Sequence, residues 1–143
     1  MKKCFATLIL LFISSASLSA QKWWYDSSDN NVETQTKQSA SITFKNRSDY
    51  TMTLKIMRSY GGVYSTVTLP PRSNEKVTFP NTASYKLKIK AVHHGQVSYH
   101  DGGKFSVTST NNEWTEGTME FMQSTYGSGL GPKISAKDFE SNN

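Results

Sequence analysis

Cysteine is almost absent: Cys4 is the single example in 143 residues. It follows Lys2 and Lys3 and precedes an apolar stretch, Phe5 to Ile13, that only Thr7 interrupts. Ser14 to Ala20 is small and polar apart from Leu18. Charge, a short apolar run and then small residues form an export leader. The run is far shorter than the roughly 20 residues of a membrane-spanning helix. Cleavage is expected after Ala20, with Ser19 as the alternative because Leu18 is bulky for the site. Residues 1–20 are therefore expected to stay outside the fold, and Cys4 leaves with them. A cysteine-free mature chain excludes disulfides, thiolate metal sites and thiol nucleophiles. Cys4 also precedes the apolar run, the wrong side for a lipid-anchor cysteine. The lysine-rich start and short apolar core point to a bacterial protein, exported to the periplasm or beyond.

Strong charge is lacking too. Without Lys2 and Lys3, the 16 lysines and arginines become 14 against 11 acids, a net +3. That is too mild for the concentrated basic surface of a nucleic-acid binder. Catalytic signatures are missing as well. No serine sits in a G-x-S-x-G elbow. "GSGLG" at 127–131 lacks the following lysine and the strand–helix unit of a phosphate loop. Glu116 and Glu120 lie four residues apart on one strand, about 13 Å, beyond the roughly 5–9.5 Å that glycoside hydrolysis needs. No enzyme activity and no cofactor are expected. A small hydrolase would need carboxylates gathered from distant segments.

What is present is alternation. From residue 41 apolar side chains recur every second position: Ile42 and Phe44; Met52, Leu54 and Ile56; Val67 and Leu69; Val77 and Phe79; Tyr85 to Ala91; Val97 and Tyr99; Phe105 and Val107; Met119 and Phe121. Strands with one dry face read this way. Turn residues separate them at Asn46–Asp49, Gly61-Gly62, Pro70–Asn74, Pro80-Asn81, His94-Gly95, Asp101–Gly103 and Asn111-Asn112. Seven or eight short strands without a helical pattern predict an all-β, antiparallel two-sheet sandwich, immunoglobulin-like, with a small β-barrel as the alternative. The organisation expected is a leader (1–20), a polar linker (21–40), the sandwich (41–123) and a Gly/Ser-rich tail (124–143). Within the tail, "SAKD" has the form of a helix-start capping box, with room for one turn and with Phe139 able to dock. In "LPPRSNEKVTF", Pro70 and Pro71 end a strand, and the chain is expected to cross there to the other sheet.

"SYKLKIKAVHHGQVSYHDGG", residues 84–103, holds all three histidines. A three-residue loop at His93–Gly95 would set Ala91 opposite Val97 and Ile89 opposite Tyr99, with odd-numbered side chains inward from Tyr85 to Val107. His100 would then be outward and about 16 Å from the tip, too far for the histidines to share one metal ion. Lys86, Lys88 and Lys90 would form an outward row, either a solvated face beside Glu116 and Glu120 or a patch for an anionic partner.

"WWY" at Trp23–Tyr25 is an aromatic cluster beside the new N-terminus. Trp23, Trp24, Tyr25 and Trp114, with Tyr60, Tyr64 and Tyr126 as further candidates, are the expected contact anchors, since aromatics bring large area at little rotamer entropy. The functional expectation is a non-catalytic domain that contacts a protein or envelope partner. The alternative is a carbohydrate-binding module, and a membrane-active sandwich without a membrane span is a lesser one.

Overall fold

A computed structural model of the chain describes residues 11–17, 36–124 and 127–143. The strands are β1 (Leu11–Ser17), β2 (Ala40–Asn46), β3 (Thr51–Arg58), β4 (Val63–Leu69), β5 (Asn74–Phe79), β6 (Ala83–His93), β7 (Gln96–Val107), β8 (Glu113–Phe121), β9 (Gln123–Ser124) and β10 (Gly127–Ser128). One helix, α1, spans Ala136–Glu140. One sheet runs β4-β3-β6-β7. The other runs β8-β2-β5, with β1 added outside β8. The fold is therefore the all-β sandwich that the alternation predicts. Within it, the hairpins β3–β4 and β6–β7 each stay within one sheet, and the first core strand β2 runs parallel to β8.

The alternating residues build the core. Phe44, Phe79, Leu54, Ile56 and Ile89 are all fully buried. Aromatic rings meet across the middle of the sandwich, Phe44 against Phe105 at 6.3 Å and Phe79 against Tyr85 at 4.8 Å, and such pairs add to area burial. Burial pushes the Tyr85 hydroxyl above its ordinary pKa, and Tyr64 nearby adds to the effect. The double proline acts as expected: β4 ends at Leu69 in one sheet and β5 opens in the other. Asn46 ties this crossing to the β2–β3 turn. Its buried amide nitrogen donates to the carbonyls of Tyr50, Leu69 and Pro70, while its oxygen accepts from Ser48.

The β6–β7 hairpin differs from its sequence reading in two linked ways. His93 pairs with Gln96, so the loop has two residues, His94 (φ 48°) and Gly95 (φ 75°). Two positive φ values make the turn that matches the strand twist, and histidine tolerates that region better than most residues. The register is then one residue away from the expected one: Ile89 faces His100, and Lys90 faces Tyr99. Val97 is exposed and His100 is fully buried, the reverse of the expected parity. A bulge between Leu87 and Lys88 inserts Gly102 and restores the odd-inward pattern at Phe105 and Val107. A Cβ on Gly102 would lie 3.0 Å from the Leu87 side chain. "DGG" is thus a bulge inside a strand rather than a turn between strands.

The second difference is at the N-terminus. Leu11–Ser17, read as part of a segment outside the fold, pairs antiparallel with β8 in the intact chain. An extended stretch of aliphatic and small residues meets an otherwise open strand edge there, and backbone pairing follows.

Candidate functional site

The outer face of the β3–β6–β7 sheet carries the lysine row, Lys86, Lys88 and Lys90. The C-terminal segment crosses this face. Pro132 accepts from the Asp101 amide at 2.8 Å, and Ile134 donates to the Tyr99 carbonyl at 2.9 Å, so the segment lies along the free edge of β7. Ser135 then caps α1 through the expected box with Asp138. Phe139 is buried, its ring 5.3 Å from Tyr99.

The lysine row is divided by this strap. Lys88 Nζ donates to the Asp138 carbonyl (2.6 Å) and the Ser141 carbonyl (2.9 Å). Lys55, directly across on β3 and almost buried, donates to the carbonyls of Phe139 and Glu140 at 3.0 Å. Both amines therefore satisfy carbonyls at the end of α1, where a helix favours cations. Burial, followed by the Lys55 charge, lowers the Lys88 pKa. Lys86 sits opposite Lys104, and Lys90 opposite Tyr99. Glu120 serves elsewhere, pairing with Arg47 at 2.9 Å and Lys45 at 4.0 Å.

The histidines separate into a surface pair and a buried single. His93 stacks on Tyr50 with ring centroids 4.4 Å apart, and His94 lies 3.9 Å from His93. His100 is enclosed, with Nδ1 3.1 Å from the Gly131 carbonyl and Nε2 2.9 Å from the Ser98 hydroxyl. Sequence reasoning missed Lys55, Asn46 and the burial of His100. For His100 the "DGG" bulge was the available signal, since one inserted residue reverses the side-chain parity ahead of it.

Of the aromatic anchors, Trp23, Trp24, Tyr25 and Tyr126 lie outside the described residues. Trp114 is half-buried at the start of β8. Tyr64 belongs to the core margin, 5.2 Å from Phe79, with its hydroxyl donating to the Thr78 carbonyl. Tyr60, on the β3–β4 turn, is 83% exposed. At the opposite end of the sandwich, the β2–β3 turn and the β6–β7 tip bring together Tyr50, His93 and His94, with Val97 exposed just past the tip and Met122 exposed just past the end of β8. Among the described anchor candidates, Tyr60 is the one that stands fully in solvent. Comparison with family models, curated proteins and solved structures finds no match to this chain.

Proposed function

We propose that the chain is exported, loses residues 1–20, and works as a non-catalytic sandwich through surface contacts with a protein or envelope partner. The observation that carries this reading is where free apolar surface sits. Tyr60 stands at 83% exposure on a turn braced by a packed core, and exposed Val97 marks the other end. A rigid aromatic presented at a turn is a low-entropy anchor for a partner. Lys88 and His100, two of the groups that looked most like chemistry, are engaged together with Lys55 in holding the C-terminal strap.

Fractionation with N-terminal sequencing tests export, and a photo-crosslinker at position 60 or, as a control, at exposed Thr66 tests contact. The expected result is a mature start near residue 21 and a crosslinked species specific to position 60. Retention inside the cell with residues 1–20 intact, or equal labelling at both positions, overturns the reading. A sugar-binding module is the second reading, favoured by the same free ring. Glycan binding lost in Tyr60→Ala would select it.

A further inference from the structure

We propose that the outer edge of β8 is a strand-acceptor site. In the intact chain it holds the chain's own Leu11–Ser17. Once the leader is gone it takes an extended segment of a protein partner, antiparallel, with bulky aliphatic residues at alternate positions. This inference rests on the export reading above and names the surface on which contact occurs.

β8 has two sides. On one, Ser41–Asn46 of β2 pairs with Glu116–Phe121. On the other, β1 pairs over seven positions, from Leu11 opposite Met119 to Ser17 opposite Glu113. Removing residues 1–20 takes away that whole partner and leaves a row of backbone donors and acceptors open. Sheet edges are commonly protected by proline, a bulge, short length or inward charge. β8 has nine residues, no proline, and an unbroken register on both sides. Its inward row is Thr115, Gly117, Met119 and Phe121; its glutamates at 116 and 120 belong to the other row, and Glu113, of the inward parity, is exposed at the first position of the strand. The opposite edge strand, β5, is only six residues long, carries Glu75 and Lys76 and runs into Pro80.

The register also states what fits. Ile13 is opposite Gly117, Leu11 opposite Met119, and Ser15 opposite Thr115. Glycine supplies no side chain to the inward row, so the neighbouring strand has room for a large aliphatic residue there. A partner strand would therefore read bulky–x–bulky–x–small, running antiparallel to β8. Backbone pairing supplies affinity in such strand addition, and the alternate positions supply selectivity.

The test uses the full chain with a protease site placed after Ala20, folded and then cut. A labelled peptide carrying Leu11–Ser17 with a solubilising tail is added, and uptake is followed with hydrogen exchange at β8. The expected result is saturable uptake of one peptide per chain, with β8 amides deprotected after the cut and protected again by the peptide. A peptide with proline in place of Ile13 should bind on the order of 10-fold more weakly, since it loses a donor and ladder geometry. β8 amides that stay protected after the 1–20 fragment is washed out, with no uptake, overturn the proposal. So does a dimer that forms and excludes the peptide, because the edge then closes on a second copy. N-terminal sequencing of cell-made protein separates the two readings. Residues 1–20 removed but no uptake defeats the acceptor edge alone, whereas residues 1–20 retained defeats both.

Discussion

The two sheets each have one edge closed by a remote part of the same chain, and the closures are built differently. At β7, side chains lock the strap. Gly131 adopts φ 95°, and a Cβ there would collide with the Asp101 carbonyl. His100 approaches the Gly131 carbonyl from beneath, and Lys55 and Lys88 hold the end of α1 from the sheet face. At β8 the closure is a seven-residue backbone ladder whose demand is an extended strand with suitable alternation. Few sequences could replace the strap. Many could replace Leu11–Ser17. A closure made of particular side chains is harder to replace with another segment than one made of backbone pairing alone.

The comparison assumes that one core supports both edges, and the largest predicted effect tests that. Ile89 is fully buried, facing Leu54 on β3 and His100 on β7. Ile89→Asp places an unpaired charge there, a cost of several kcal/mol, about the stability of a small domain. The expected result is loss of the cooperative urea transition, with β7 and β8 amides exchanging together. Separate transitions would show that the edges belong to independent units.

Next in size is Phe139→Ala, which removes the buried anchor of the strap. Truncating a buried phenylalanine costs about 3–5 kcal/mol, and the lower end is expected because Phe139 lies outside the main core cluster. Urea denaturation reads the loss. Protection at β8 should be unaffected relative to global stability. His100→Ala follows, at about 1–3 kcal/mol, because it leaves buried polar partners unsatisfied. Its signature is faster exchange at the Asp101 and Ile134 amides. Ile13→Pro on the other side should cost about 1 kcal/mol or less, at most one ladder bond with water able to replace it, and its exchange signature should be confined to β8. A larger global effect from Ile13→Pro than from His100→Ala would reverse the contrast between the edges.

The His100 expectation shows how far the sequence could be read. Parity along β6 is legible: Tyr85, Leu87, Ile89 and Ala91 alternate without interruption and are all buried. Strand ends at Leu69 and Phe79 are legible too, because prolines follow them. The loss of register at the β6–β7 tip is not a failure of alternation, since "HHG" admits both a two-residue and a three-residue loop. Only the bulge at Gly102 reconciles the shorter loop with inward Phe105 and Val107. Glycine pairs mark turns and bulges alike, and local residues do not distinguish them. The strap was partly legible through "SAKD" and Phe139. Its clamps were not, because Lys55 lies 84 residues from Phe139 and no periodicity links them. Of the surface features, Tyr60 was legible as an aromatic beside Gly61-Gly62. Trp114 has the parity of Glu116, which alternation alone assigns to the outer row.

The smallest expected effect refines the β7 closure by acid. The Ser135 hydroxyl, then the Ser135 backbone amide, hold the Asp138 carboxyl below its ordinary pKa. A carboxyl whose folded pKa is depressed adds stability fully present above the unfolded value, near 3.9, and lost as pH falls through the folded one. As pH falls below about 4, protonation should weaken the capping box, since the carboxylate accepts from Ser135 Oγ at 2.7 Å. Protection of the Asp138 and Phe139 amides, which donate to Ser135, should decline there while β8 protection holds. Asp138→Asn should flatten that dependence at the helix. If β8 loosens in step with α1 and the asparagine variant still shows the acid response, the capping box does not set the pH sensitivity of the strap, and the two closures share a titrating group elsewhere.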